Sequence, residues 1–126
     1  MSEKELSDNI RVRLHLDGWH TEKSHGNAYQ SGWPDLYCMH PEHGQCWIET
    51  KVRGKKLEAS QVTTFLKWHK HRVRIYIITS VDDLILVYKH KPPNWPEYYA
   101  MYGSYGKRIP NKFGVRHLKK EWHKDK

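Results

Sequence analysis

The stretch GWPDLYCMHPEHGQCWIETK, residues 32–51, decides how this chain folds and where its chemistry gathers. Leu36–Met39 and Gln45–Val52 are strand-like runs on either side of Pro41-Glu42-His43-Gly44, whose residue types favour a turn, so the stretch reads as a β-hairpin. A symmetric hairpin centred on Glu42 pairs residues equidistant from it. That register sets Asp35 opposite Glu49, with Tyr37 and Trp47 the next pair on the same face. Strand side chains repeat with period two, so Lys51 shares the face. Two carboxylates facing each other repel unless a cation sits between them, and this makes the pair more than a chance spacing.

Outward from the hairpin, helical and extended patterns alternate. Leu6, Ile10 and Leu14 recur every four residues between Ser2 and Asp17, which predicts a helix of about four turns with Ser2 as N-cap and Gly18 as its stop. At about 100° per residue Glu3 projects from the same face as that stripe, and Glu5 from the opposite one. A short strand is expected near Trp19–Lys23, then an exposed loop through Gly32. Val62, Phe65, Leu66 and Trp68 predict a second helix over Ala59–Lys70, capped near Glu58 or Ser60. Arg74–Thr79 reads as a buried, β-branched strand, and the pattern leaves Leu84–Tyr88 open between strand and helix. The order predicts an α/β fold, a mixed β-sheet flanked by helices.

Composition narrows the function. A chain of 126 residues holds one core domain, and a hydrophobic fraction of 37% with six Trp and eight Tyr implies a small, partly aromatic core. The net charge of +8 favours a polyanionic partner. The excess is uneven: residues 89–126 carry ten Lys/Arg against three Asp/Glu, and residues 1–88 twelve against eleven. We therefore expect a core over residues 1–90 and a basic, aromatic C-terminal extension over 91–126. Pro92, Pro93 and Pro96 make that extension an extended arm more readily than continued core. Its tyrosines and Trp95 suit stacking on unpaired bases or a dimer seam, with a disordered arm the lesser alternative. No apolar run approaches a membrane span, and two cysteines build no disulfide framework, so a soluble, cytoplasmic protein is expected.

Asp35, Glu49 and Lys51 suit phosphodiester hydrolysis, which needs a divalent cation, a deprotonated water and a group to orient it. Carboxylates favour Mg²⁺ or Mn²⁺, and the Thr50 carbonyl offers a further oxygen ligand. Lys51, beside two carboxylates, is expected to act as an ammonium that stabilises charge rather than as a free-amine base.

Gly32-Trp33-Pro34-Asp35-Leu36, Trp47-Ile48-Glu49-Thr50-Lys51 and Gln61 together resemble the PD-(D/E)xK nucleases, and within them the VRR-NUC branch, over about Glu3 to Asp83. The resemblance implies a restriction-endonuclease-like core in which Asp35 and Glu49 bind metal, Lys51 assists attack and Gln61 supports the site. It also implies an added acidic ligand from the first helix, which Glu3 matches. Small stand-alone members resemble dimeric junction resolvases, so the expected activity is cleavage of branched, flap or junction DNA, by a homodimer, with no small-molecule cofactor. Lys23, Arg53, Lys55, Lys56, Lys107 and Arg108 are the candidate DNA contacts, Lys23 being more readily an ordinary surface lysine.

Two other readings compete. A non-catalytic DNA-binding module would use the basic tail and leave the triad idle. Cys38, His40, His43 and Cys46 form a compressed array of zinc-ligand types around the turn, against which stands the simpler reading of small buried cysteines.

Overall fold

The stripe Leu6, Ile10, Leu14 forms one side of α1 (Glu3–Leu16), whose N-cap Ser2 accepts the Glu5 amide proton on its hydroxyl. A computed structural model describes residues 1–24 and 28–106 of the chain. After α1 come β1 (His20–Lys23), a 3₁₀ turn (Ala28–Gln30), β2 (Leu36–His40), β3 (Gly44–Thr50) and β4 (Leu57–Glu58). The second half holds α2 (Ala59–Lys70), β5 (Ile75–Ile78), a 3₁₀ turn (Val81–Leu84), α3 (Ile85–Tyr88), α4 (Trp95–Tyr102) and β6 (Ser104–Tyr105).

The main sheet has the order β1-β2-β3-β5, with β1, β2 and β3 antiparallel and β3 parallel to β5. It is a mixed sheet, because α2 carries the chain from β3 back to the same end before β5 begins. The expected hairpin register holds over β2: Leu36 pairs with Ile48, Tyr37 with Trp47 and Cys38 with Cys46. The strand ends earlier than expected, at Thr50, and Val52 lies exposed.

Period two divides the sheet between two cores. Leu36, Cys38, Cys46, Ile48, Tyr76 and Ile78 face the α1 stripe, together with Leu84 and Val87. Ile75 and Ile77 face the other way, onto Val62 and Phe65 of α2 and Trp95 and Tyr98 of α4. Because both faces are covered, β5 is buried at all four positions and reads as a continuous apolar run. The stretch left open at Leu84–Tyr88 is helical: the 3₁₀ turn runs directly into α3.

Residues 95–105 correct the expected arm. Trp95 is fully buried and Tyr98 nearly so, and Pro96 sits in the first turn of α4, where a missing N–H costs nothing. Asn94, just before it, closes the sheet edge: its amide donates to the Ile77 carbonyl at 2.8 Å and accepts from the Ile77 N–H at 2.7 Å. A side chain thus takes the place of a neighbouring strand and blunts an edge open to pairing. Among the described residues, no helix is long and apolar enough to cross a membrane.

Candidate metal centre

Where β3 ends, its last residues are held on both sides. Thr50 pairs with Ile78, and the Lys51 N–H donates to the Ile78 carbonyl at 3.2 Å, so the chain leaving the sheet stays anchored to β5. Asp35 lies one residue before β2, and the Ser24 amide donates to its carbonyl at 2.8 Å. The Asp35 N–H in turn donates to Glu49 Oε1 at 3.2 Å. Its carboxylate Oδ2 accepts from the Thr50 hydroxyl at 3.0 Å and the Thr50 N–H at 3.4 Å.

Gly32 lets this loop reach α2. Its φ is +80°, and a Cβ there would sit 2.3 Å from the Ser60 carbonyl oxygen and 2.7 Å from Thr64 Oγ1. Only glycine tolerates both the left-handed backbone and that approach. Gln61, the N3 residue of α2, accepts the Glu58 N–H on Oε1 at 2.9 Å, which is half of a capping box. With its oxygen so engaged, the amide nitrogen is the end left to donate to Glu49, and that hydrogen bond lowers the Glu49 pKa.

Glu3, at the start of α1, completes the group: one carboxylate oxygen from each of Glu3, Asp35 and Glu49 lies within 4.8 Å of the others. Lys51 Nζ stands 3.5 Å from Glu49 Oε2, with both side chains buried. Glu5, on the other helical face, is exposed.

Burial sets the electrostatics. It raises the Asp35 pKa against the opposing hydrogen bonds from Thr50, and the charge of Glu3 adds to the rise. Burial, then the Asp35 charge, push Glu49 up to about 8, against the pull of Lys51 and Gln61. The pocket therefore resists holding both carboxylates ionised by itself. A divalent cation relieves that repulsion, and three carboxylates are the hard oxygen donors that Mg²⁺ and Mn²⁺ prefer, so the residues present fit such an ion.

The structure thus brings Glu3, Asp35, Glu49, Thr50, Lys51 and Gln61 together. Thr50, expected as a carbonyl ligand, holds Asp35 through its amide and hydroxyl. Lys23 is exposed at the end of β1, in register with Leu36. Lys55 is exposed and spans to Glu3 Oε2 at 2.8 Å, an ion pair the sequence did not announce. Lys56 lies over the Tyr105 ring, and Arg53 lines a separate cavity with Asp83 and Glu97. Lys107 and Arg108 lie outside the described residues.

The zinc array does not assemble. Cys38 and Cys46 are buried in the core, while His40 accepts the Glu42 and His43 amides on Nδ1 and meets the Asp17 carbonyl through Nε2. Among the described residues, the one group spaced for a metal is Glu3, Asp35 and Glu49.

No protein-family model, no curated protein and no solved structure matches the chain.

Proposed function

We propose that this chain is a Mg²⁺- or Mn²⁺-dependent DNA endonuclease with a restriction-endonuclease-like core, acting on branched DNA as a homodimer. The observation that carries this reading is the convergence of three carboxylates within 4.8 Å beside the buried Lys51 ammonium. Glu3, Asp35 and Glu49 would hold the cation, which supplies charge neutralisation and Lewis acidity toward the phosphate. Thr50 keeps Asp35 oriented through two hydrogen bonds. Lys51 lies within reach of an oxygen at the carboxylate pair, so its ammonium can orient the attacking water and stabilise charge growing on the phosphate. Gln61 keeps Glu49 aimed and fully accepting. The net charge of +8 supplies the long-range attraction for a polyanion.

One panel tests reaction, cation and substrate shape together: duplex, single-stranded, flap and four-way DNA, each with Mg²⁺, Mn²⁺ or EDTA, using wild type and Asp35→Ala. Products are expected only from wild type with a cation, and mainly from branched substrates. Full cation-dependent cleavage by Asp35→Ala would defeat the assignment. DNA binding without product under every condition would identify a binding module instead.

A further inference from the structure

The face of the sheet that carries Asp35 and Glu49 continues into an aromatic surface that the chemistry described so far does not use. A cavity of about 390 Å³ beside the carboxylates is lined by Asp35, Gln61 and Trp33. The Trp33 ring meets Trp47 edge-on at 5.8 Å, and both meet Trp68, at 5.3 and 5.0 Å. Trp47 in turn lines a second cavity of about 420 Å³, with Tyr37, Gln45, Arg72 and Arg74. The two cavities are therefore joined through touching indoles. Trp33, Tyr37, Trp47 and Trp68 are all partly exposed, an unusual concentration of large rings left half in water.

The far cavity has a cationic wall. Arg72 has a φ of +65°, a conformation that bulky side chains rarely adopt, held by hydrogen bonds from the His71 and Val73 amides to the Trp68 carbonyl and from its own amide to His69. The Arg74 guanidinium is turned to the α1 side of the sheet, where it donates to the Tyr76 hydroxyl and the His43 carbonyl, so Arg72 is the exposed cation of this cavity. Tyr37 is steadied by its hydroxyl donating to Gln45 and by Trp47, whose ring centroid is 5.0 Å away. Glu22, the acidic residue in register with Tyr37, is engaged by His20 at 3.2 Å.

We infer that this surface binds an unpaired DNA strand, with bases stacked along Trp33, Trp47 and Tyr37 and a phosphate held at Arg72. Rings beside a guanidinium group are the chemistry that single strands recognise, since every base has a π-face and every link a negative charge. From Glu49 to Gln45 is four strand residues, about 14 Å. At about 3.4 Å per stacked nucleotide this fits some four nucleotides next to the scissile position. The inference rests on the nuclease reading for its substrate, and it names the unpaired arm as the feature of branched DNA that the protein holds.

Binding is measured on the full chain in EDTA, where cleavage does not intervene, with a fluorescein-labelled oligothymidine of about 12 nucleotides and a blunt duplex of equal length. Oligothymidine should bind more tightly than the duplex and quench tryptophan emission. Tyr37→Ser should weaken that binding about tenfold. Arg72→Gly, which tolerates the left-handed backbone, should lower the slope of log affinity against log salt by about 0.7, with its thermal melt reporting an intact fold. Oligothymidine binding without quenching, and unchanged in both variants, overturns the inference. If Tyr37→Ser instead abolishes self-association with DNA binding unaltered, the face belongs to a second copy and the inference falls. Addition of Mn²⁺ to a flap duplex then separates the two readings. Cleavage without the single-strand signature sinks the track alone; the signature without cleavage sinks the nuclease reading and leaves the track standing.

Discussion

The main-chain amide of Asp35 donates to Oε1 of Glu49 at 3.2 Å, so one acidic residue holds its neighbour's carboxylate with its backbone while its own carboxylate is tied to Thr50. Both groups are held in place at the cost of being crowded. Glu49 is pushed up to about 8, and binding a cation there must expel a proton. Apparent affinity for Mn²⁺ should therefore rise about tenfold per pH unit from pH 6 to about 8 and then level off. Calorimetry in buffers of different ionisation enthalpy checks this by counting the proton released. A pH-independent affinity with no proton release would remove Glu49 from the ligand set.

The same shift predicts an inverse trend in the metal-free protein. A carboxyl whose folded pKa is raised contributes stability fully present below its unfolded value, near 4.5, and lost as pH rises through the folded value near 8. Urea denaturation in EDTA should show stability falling by about 2–3 kcal/mol between pH 5 and pH 7. Asp35, also raised, acts in the same direction. In Glu49→Gln the slope should flatten.

Gln61 serves two partners at once, and substitutions can separate them. Gln61→Ala loses the acceptor for the Glu58 N–H and should cost about 1 kcal/mol of stability. Gln61→Glu keeps an oxygen for that N–H but replaces the donor facing Glu49 with a fourth crowded carboxyl. Its Mn²⁺ affinity at pH 7 should fall and the pH dependence move upward. An alanine variant that matches wild type in melting, or a glutamate variant that matches it in metal titration, would refute the corresponding half.

Much of this site was legible because its cues are local. The turn at Pro41–Gly44 is symmetric, so the register runs to Leu36 and Ile48, beside Asp35 and Glu49, and the α1 stripe puts Glu3 rather than Glu5 toward the core. Gly32 carries no local cue to its purpose, since its close approach to the Ser60 carbonyl depends on a helix nearly thirty residues away. The Lys55–Glu3 pair joins residues 52 positions apart and leaves no local pattern. Prolines misled at α4: a proline in a helix's first turn and one in an extended arm look alike until the partner of Trp95 is known.

Asn94 shows how far such non-local contacts matter for stability. It satisfies both the N–H and the carbonyl of Ile77, a residue almost wholly buried. Asn94→Ala leaves both groups without a partner and should cost about 2–4 kcal/mol in urea denaturation. Asn94→Asp keeps an acceptor for the N–H but sets an oxygen against the carbonyl, so it should rescue only part. A loss below 0.5 kcal/mol in the alanine variant, where surface substitutions fall, would mean that water replaces the side chain.

Two truncations and two substitutions at Trp95 decide where the folded core ends. Trp95 is fully buried, packs edge-on against Phe65 and donates its indole N–H to His69 Nδ1 at 3.1 Å. Trp95→Ala should cost about 3–5 kcal/mol through the cavity it leaves. Trp95→Phe should cost less, mainly through the lost indole hydrogen bond to His69. A chain ending at Lys91 loses Trp95, Tyr98 and the Asn94 clamp together, and should fail to show a cooperative melt. One ending at Gly106 keeps every described member of both core clusters and should melt like wild type, with weaker DNA binding because eight Lys/Arg are gone. Cooperative folding of the shorter chain would show that the second core closes without α4, returning the tail to the status of an appended arm.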